Sequence, residues 1–415
     1  MEDPSSLRQS PVALLVGVVA LVASLTWLVG WALPLVIFLI IAMVMGHEFG
    51  HFITAKRAGL LVTDFFVGFG PVLWSTQRGE TRYGVRALLL GGYVKVPGMT
   101  WGVPVDPAIE DRTYRAASYP KKVLFASAGS IMHGIMALAL AWAALAFIGA
   151  PSASHVGVQA FSVWQGHNDT VAQLAGLKVD DQIVSIDGHA ITNYTQLANI
   201  IHKSVGKKLT LVVNRNGHDL TLYATPVSGT TIKVAGKTLP AGGYIGIELG
   251  ELTVRSSLLG AVPGAFSEIG SLLSTAGHNM VHVFSPAEFT SLFHQVTSSA
   301  AATNVKNQDT RPVSILGVTR LAVQGANSGI GPLLAILIEV NIFVGVLNML
   351  PILPVDGGYV AVATYERLRS RRGERHHADV NKLAPLIYAF IGVLLFLFAS
   401  TLYLDIAHPL PNPFG

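Results

Sequence analysis

The chain has 415 residues, of which 51% are hydrophobic and only 13% are charged, and it contains no cysteine. Average soluble domains carry about 25% charged residues. The composition therefore excludes intrinsic disorder and a disulfide-stapled scaffold, and it argues against an ordinary soluble enzyme. The net charge of +4 does not indicate nucleic-acid binding, because the basic residues lie beside apolar segments, where a positive-inside bias places them. The chain is predicted to be embedded in a lipid bilayer.

The N-terminal apolar run is too long for one membrane crossing. Residues 9–46 contain no Asp, Glu, Lys or Arg, and at about 1.5 Å per residue they would extend to roughly twice the thickness of the hydrocarbon layer. Gly30 and Pro34 interrupt the run, which predicts a first helix over 11–30 and a second over 34–57. A cleaved signal peptide is the alternative for the first helix, although its n-region has a single basic residue.

Three further apolar segments predict additional spans, at 123–150, 331–350 and 385–404. Basic residues are concentrated in the loops 56–122 and 366–382, which a positive-inside bias assigns to the cytoplasm. Alternation of the spans then places the N-terminus inside and the C-terminus outside, with both basic loops on the same side. The arginine cluster of the second loop predicts contact with anionic lipid head groups.

A polar region from about 152 to 250 predicts a separate extracytoplasmic domain. Within residues 175–217, the turn VDD, the strand QIVSIDG, a helix and the strand KLTLVV follow one another, an order that resembles a PDZ domain. PDZ domains capture extended peptides by adding a strand to the edge of a sheet. A generic small α/β domain is the alternative. The next segment, 256–302, is apolar but interrupted by Pro, Ser and Gly, which predicts interfacial amphipathic helices.

The segment MGHEFGHF, residues 45–52, carries the strongest chemical signal. His47 and His51 are four residues apart, so they share one face of a helix. Two imidazoles at this spacing can bind one tetrahedral metal ion, and Glu48 beside them can polarise a bound water. Ionisable groups at membrane depth are costly and usually functional. The alternative is a pair of interfacial histidines at the helix end, with Glu48 paired to a nearby Lys or Arg.

A second motif, NMLPILPVDGG at residues 348–358, supplies a candidate third ligand. Asp356 follows two prolines, which break the helix, and irregular backbone at membrane depth is tolerated only inside protein or beside a water-filled cavity. The predicted topology brings Asp356 to the same depth as the two histidines. A catalytic zinc site needs a third protein ligand and an open position for water. A helix-capping aspartate after a proline-rich turn is the alternative.

These motifs together resemble the site-2 proteases, intramembrane zinc metalloproteases whose bacterial members cleave membrane-anchored anti-sigma factors. The resemblance covers residues 35–400 and rests on HEFGH, GFGP, LGGYVK, the PDZ-like module and NxxPxxPxDGG. The single module is similar to the bacterial subgroup with one PDZ domain rather than two. Many members carry Gly-Pro-x-x-Asn in the next membrane helix, whereas this chain reads GSIMH at 129–133. His133 would either take over that asparagine's hydrogen bonding or be a satisfied core histidine.

The resemblance implies a ligand set, a base and substrate contacts. His47, His51 and Asp356 would bind Zn²⁺, and Glu48 would be the general base. Residues 82–95 would correspond to a cytoplasmic, membrane-associated β-hairpin that pairs with an unwound substrate. The residues implied in substrate binding are Asn348, Gly91, Gly92, Tyr93 and His133.

The predicted fold is an α-helical polytopic membrane protein with about four or five transmembrane helices, an inserted α/β PDZ domain and a cytoplasmic membrane-associated β-hairpin. The extra N-terminal helix is a departure from the family. The predicted divisions are 1–33 (extra membrane helix), 34–150 (catalytic membrane segment), 151–250 (PDZ-like domain), 251–330 (interfacial helices and linker) and 331–415 (membrane helices with the aspartate motif).

The predicted function is that of a zinc endopeptidase in the bacterial inner membrane. Its expected substrates are single-span proteins, such as type II anti-sigma factors or signal-peptide remnants, already shortened by an upstream site-1 protease. Membrane lipid is an expected partner and nucleic acid is not. A catalytically silent membrane PDZ scaffold is the alternative, but silent relatives should have lost Glu48 or a ligand. A transporter would call for inverted repeats, and neither motif has a second copy.

Overall fold

The computed structural model describes residues 11–99, 103–162, 164–166, 168–234, 236–370, 376 and 378–414. The chain forms two compact units. The helical unit comprises residues 1–141 and 265–415, and the inserted unit comprises residues 142–264. Residues 371–375, which contain much of the predicted lipid-contacting arginine cluster, lie outside the described residues.

Helices dominate the helical unit, and strands dominate the inserted unit. In chain order, the helices are α1 (Pro11–Val29), α2 (Ala32–Arg57), α3 (Tyr119–Ala143), α4 (Val171–Leu174), α5 (Tyr194–Lys203), α6 (Ala261–Val283), α7 (Pro286–Thr297), α8 (Ser299–Ala302), α9 (Val305–Thr310), α10 (Ile315–Ser328), α11 (Ile330–Asn348), α12 (Asp356–Arg369) and α13 (Ala384–Ala407). The main strands are β1 (Asp64–Arg78), β2 (Thr81–Lys95), β3 (Ala150–Phe161), β4 (Gln182–Ile186), β5 (His189–Ala190), β6 (Leu209–Arg215) and β7 (His218–Ala224). Shorter strands follow: β8 (Val227–Ser228), β9 (Lys233–Val234), β10 (Lys237–Thr238), β11 (Gly243–Tyr244) and finally the longer β12 (Ile247–Val254).

Four segments among the described residues are long and apolar enough to cross a membrane: Ala32–Arg57, Tyr119–Ile148, Ile330–Asn348 and Val380–Ala407. The shortest has 19 residues, which at about 1.5 Å per residue approaches the thickness of the hydrocarbon layer. These segments coincide with the predicted second to fifth spans to within a few residues at each end.

The first apolar run forms two helices, as predicted. Helix α1 ends where Gly30 adopts a φ of +85°, a left-handed conformation that glycine adopts without steric cost. Helix α2 begins two residues later. Pro34 therefore lies in the first turn of α2, where the absence of its amide hydrogen costs no hydrogen bond.

Two glycines bring α2 close to α3. A Cβ atom on Gly50 would lie 2.6 Å from the carbonyl oxygen of Ala128, and one on Gly46 would lie 2.6 Å from the sulfur of Met136. Small residues four apart permit such close approach between membrane helices. Because Gly46 directly precedes His47 and Gly50 directly precedes His51, this packing also holds the histidine motif against α3.

Strands β1 and β2 form an antiparallel ribbon. The resemblance assigns a β-hairpin to residues 82–95, whereas the structure builds the ribbon from residues 64–78 and 81–95. Strand β2 runs through both glycines without ending, and its partner strand precedes it in the chain. A Gly-Gly pair often marks a turn, but here the absence of a side chain serves a close approach by α2.

One part of β1 pairs with two different segments of β2. Phe66 lies opposite both Gly84 and Tyr93, so residues 64–67 are paired on both sides by segments of β2. Residues 92–95 are paired with 64–67 on one side, and no other described strand pairs with their second side. The ribbon therefore ends, on that side, in an unpaired strand edge.

A buried ion pair fixes α12 against the start of α3. The Nζ atom of Lys122 lies 2.8 Å from Oε2 of Glu366, and both side chains are less than one-tenth exposed. The other carboxylate oxygen of Glu366 accepts a hydrogen bond from the amide of Ala378. Buried charges are costly unless they are paired and hydrogen-bonded, so this contact constrains the position of α12, which begins at Asp356.

The inserted unit is built on a sheet with the strand order β12-β3-β4-β6-β7, in which β5 pairs with β4. Its core contains Val158, Ile183, Leu197 and Leu211. The predicted succession of strand, helix and strand is present as β4, α5 and β6. Strands β12 and β7 are the two ends of this sheet.

Asp181 is the main buried charge of the inserted unit. Its side chain is fully buried, and its two oxygens accept hydrogen bonds of 2.7 Å from Nε and Nη2 of Arg215. Oδ2 also accepts the backbone N–H of Lys178. This two-pronged geometry matches the planar guanidinium to the carboxylate and joins the turn before β4 to the end of β6.

Helices α6, α7 and α8 occupy the segment that was predicted to contain amphipathic helices. Leu292 of α7 packs in a buried cluster with Leu397 and Leu404 of α13, so α7 is held against the last span. Exposed apolar side chains remain on α6, among them Phe266 and Leu273. Their location at a membrane interface stays a prediction.

Candidate metal centre

Three side chains far apart in the sequence converge in the helical unit. The Nε2 atoms of His47 and His51 lie 3.2 Å apart, and Oδ2 of Asp356 lies 3.4 Å from the first and 3.2 Å from the second. All three side chains are less than one-fifth exposed. Among the described residues, these three form the group that could hold a metal ion.

The triangle has the dimensions of a tetrahedral zinc site. Zinc binds imidazole nitrogen and carboxylate oxygen at about 2.0–2.2 Å, and in a tetrahedron such bonds place neighbouring ligand atoms about 3.3–3.6 Å apart. Oδ2 of Asp356 is buried and has no hydrogen-bond partner among the described residues. An unpaired carboxylate oxygen facing two imidazole nitrogens is costly unless a cation neutralises it. The donor set and the spacing therefore fit Zn²⁺.

The backbone around Asp356 explains how the third ligand reaches the histidines. Asp356 is the first residue of α12, and the cap position belongs to Val355, so the helix-capping alternative is not supported. The loop after α11 folds tightly onto the start of α12, because a Cβ on Gly357 would clash with the carbonyl of Met349 and one on Gly358 with the amide of Leu353. The two glycines of the motif thus permit the turn that presents the aspartate.

A carbonyl group on α3 orients His51. Nδ1 of His51 lies 2.8 Å from the carbonyl oxygen of Phe125, so Nδ1 carries the proton and Nε2 is left as a ligand, the arrangement usual for metal-binding histidines. Phe125 in turn packs against Tyr114. Burial, reinforced by Tyr359 and nearby carboxylates, raises the pKa of the Tyr114 hydroxyl, so this side chain stays neutral at physiological pH.

The position of His47 depends on the absence of a side chain at Gly129. A Cβ atom there would lie 2.5 Å from Nδ1 and 2.6 Å from Nε2 of His47. Real Cβ atoms do not approach other atoms that closely, so the imidazole occupies the space that any larger residue would fill. Sequence reasoning noted Gly129 only as the start of a departure from the family pattern, and missed this contact.

Glu48 lies where the metal site meets the unpaired edge of β2. A Cβ on Gly92 would lie 2.9 Å from Cγ of Glu48, and the backbone of Val94 lies beside the Glu48 carboxylate. The carboxylate is also within electrostatic range of His51 and Asp356. A group in this place is close both to the metal ligands and to any chain that would lie along the strand edge.

The five predicted substrate-binding residues have different environments. Gly92 adjoins Glu48, whereas a Cβ on Gly91 would meet the ring of Phe69 and the Tyr93 ring stacks on Phe66 at 5.6 Å. Asn348 is the half-buried last residue of α11. Of these four residues, Gly92 is the one that contacts Glu48, the candidate base. The fifth predicted substrate-binding residue, His133, lies on α3.

His133 lies beside the metal ligands and has a partner that sequence reasoning missed. It is only 2% exposed, its ring centroid lies 5.1 Å from that of His47, and Nδ1 is 2.9 Å from Oδ1 of Asn341. A lone amide inside an apolar span is itself a functional signal, and it could have pointed to Asn341. Glu339, in the same helix, is exposed near the middle of α11.

Comparison with known proteins identifies the family. The model of Peptidase family M50 matches residues 35–395. The chain belongs to this family, the site-2 proteases. It is therefore a zinc metalloprotease, and the four long apolar helices among its described residues fit a multi-pass membrane protein.

Individual members of the family align with most of the chain. The zinc metalloprotease Rip1 of Mycobacterium tuberculosis is 30% identical over 391 residues, which cover 88% of this chain and 94% of that protein. A putative zinc metalloprotease of a Nostoc species is 30% identical over 338 residues, covering 79% and 84%. A putative zinc metalloprotease of Clostridium perfringens is 28% identical over 356 residues, covering 85% and 94%.

Proposed function

We propose that this site-2 protease cleaves single-span membrane proteins within the bilayer, with His47, His51 and Asp356 as metal ligands and Glu48 as the general base. The observation that carries the proposal is the convergence of three donor atoms, 3.2–3.4 Å apart, beside a carboxylate at the end of an apolar helix. This constellation matches the needs of metal-assisted peptide hydrolysis.

The roles of the protein groups follow from their positions. Zinc, when bound, supplies Lewis-acid chemistry that acidifies water and polarises a carbonyl group. Glu48 accepts a proton from the attacking water and returns one to the leaving nitrogen. The carboxylate lies beside the backbone of Val94, and the carbonyl of Phe125 holds His51 in the tautomer that leaves Nε2 free.

The unpaired edge of β2 provides a place for the substrate. A helical substrate hides its carbonyl groups in internal hydrogen bonds, so it must become extended before cleavage. An extended segment can add to a free strand edge, and residues 92–95 offer such an edge beside Glu48. In this proposal Gly91, Gly92 and Tyr93 shape the edge, and Asn348 helps to position the substrate.

The proposed setting is the bacterial inner membrane, with the β1–β2 ribbon on the cytoplasmic side and the inserted unit outside. The strand and helix order of residues 151–250 supports a single PDZ-like domain, which would act as a docking site or size gate. Residues 1–33 would then be an extra membrane helix and 251–330 interfacial helices. Substrates would be type II proteins such as anti-sigma factors, or signal-peptide remnants, after a first cut by a site-1 protease.

Purified protein reconstituted with a single-span model substrate tests the assignment. Glu48→Gln should abolish cleavage while retaining zinc, and His47→Ala and Asp356→Ala should lose both. The matched control is Glu80→Gln, which changes an exposed glutamate on the ribbon and should cleave normally. Equal cleavage by wild type and Glu48→Gln would exclude Glu48 as the base. Absence of cleavage by the zinc-loaded wild type would favour the silent scaffold.

A further inference from the structure

Two buried polar side chains from different helices meet beside the metal ligands. His133 of α3 and Asn341 of α11 are each 2% exposed, and Nδ1 of the imidazole is 2.9 Å from Oδ1 of the amide. Gly345 permits this approach, because a Cβ on it would already lie 3.2 Å from Cβ of His133. The imidazole also lies against His47. The pair therefore forms part of the wall of the metal centre.

The orientation of the Asn341 amide is determined by its own helix. Nδ2 donates a 2.7 Å hydrogen bond to the carbonyl oxygen of Leu337, one turn earlier. The amide oxygen must then face His133, and it can only accept a hydrogen bond. Nδ1 of His133 is therefore the donor. Because a neutral imidazole carries a single proton, Nε2 is left with a free lone pair.

No described residue donates a hydrogen bond to this lone pair. Nε2 of His133 makes no hydrogen bond to any described residue, and it is not one of the fully enclosed polar atoms. An acceptor that the neighbouring protein groups leave free can take a hydrogen bond from a donor that enters the site. An extended substrate segment has free donors instead, because its backbone N–H groups have no water to bind at membrane depth.

We propose that Asn341 is a positioning residue that holds His133 as the Nδ1–H tautomer, so that Nε2 accepts a hydrogen bond from a backbone N–H of the substrate. The inference rests on the proposed proteolytic function and specifies, for one hydrogen bond to the substrate, that the protein is the acceptor and the substrate is the donor. It also excludes the neutral His133 side chain as a donor to the negatively charged oxygen that develops during peptide hydrolysis, because Nε2 carries no proton.

The tautomer can be measured directly in the zinc-loaded full chain. Nitrogen NMR of protein labelled with ¹⁵N-histidine distinguishes protonated from bare ring nitrogens, and the resonance that disappears in His133→Gln identifies His133. The expected result is a protonated Nδ1 and a bare Nε2 in the wild type. Asn341→Leu should shift the resonance toward the other tautomer, whereas Asn341→Asp, which keeps an accepting oxygen, should not. A protonated Nε2 in the wild type would overturn the proposal.

Cleavage by two amide variants separates the substrate contact from a structural role. The amide of His133→Gln reaches the place of Nε2, whereas that of His133→Asn reaches only the place of Nδ1. We expect kcat/KM for a single-span substrate to stay within about threefold of wild type for glutamine. For asparagine it should fall about tenfold, as for one lost hydrogen bond. Zinc content should be unchanged in both variants.

The opposite ranking identifies a structural role. If His133 only satisfies Asn341, then asparagine retains the important contact, and the glutamine variant should lose as much activity or more. That result overturns the inference but leaves the dependence of cleavage on Glu48 intact. Failure of the proposed function itself would instead show as cleavage that Glu48→Gln does not reduce.

Discussion

The contact between Gly129 and His47 makes Gly129→Ala a sensitive test of the metal centre. The new methyl carbon would lie 2.5 Å from Nδ1 of His47, whereas ordinary contact begins near 3.4 Å. Cε1 of the same ring would be closer still, so the ring would have to move by more than 3.4 − 2.5, or about 0.9 Å, and zinc–ligand distances tolerate only about 0.2 Å. We expect zinc affinity to fall about 10–100-fold, the range for disturbed ligand orientation, which corresponds to roughly 1.4–2.8 kcal/mol.

The assay is the zinc retained by the purified protein after dialysis against graded concentrations of a chelator, followed by cleavage of a single-span substrate. Gly134→Ala is the matched control, because it lies on the same helix and a Cβ there would meet nothing within 4 Å. That variant should bind zinc as wild type does, with a slightly more stable helix. Wild-type zinc affinity in Gly129→Ala would refute the argument that the space at this position sets the position of His47.

Three further changes test other contacts. Gly92→Val should displace Glu48, lowering kcat/KM about 10²-fold with normal zinc content; unchanged cleavage would show that the base does not depend on this contact. Lys122→Met should cost about 3–5 kcal/mol, because the buried carboxylate of Glu366 loses the ammonium group that neutralises it, measured as lower resistance to thermal denaturation, and the double variant that also replaces Glu366 with leucine should recover most of the loss. Arg215→Met should destabilise the inserted unit by about 2 kcal/mol, because Asp181 stays buried without its guanidinium; hydrogen exchange in β4 and β6 would rise, and unaltered exchange would contradict this reasoning.

Much of the membrane architecture follows from local sequence patterns. A span is recognisable because some 20 consecutive apolar residues meet the requirement of the hydrocarbon layer without reference to the rest of the fold. The histidine pair is equally local, since the helical period places His47 and His51 on one face whatever surrounds them. The breaking of the first run near Gly30 rests on the conformational freedom of glycine. These predictions agree with the structure.

The β-ribbon shows where local patterns are insufficient. The Gly91–Gly92 pair has the composition of a turn, yet it lies inside a strand. The reason is that Gly92 makes room for Glu48, which is more than 40 residues earlier in the chain. The pairing partner of a strand is likewise a non-local property, and this explains why the partner segment 64–78 was missed.

Local patterns in the sequence predicted the membrane spans, the candidate metal-binding side chains and the resemblance to the family. They did not show that Asp356 reaches within 3.4 Å of both histidines, that Gly129 leaves space for one of them, or that Asn341 orients His133. The physical reason is distance along the chain. Helical periodicity and hydropathy act over a few neighbouring residues, whereas these contacts join residues separated by more than 300 positions and depend on how closely their backbones can pack.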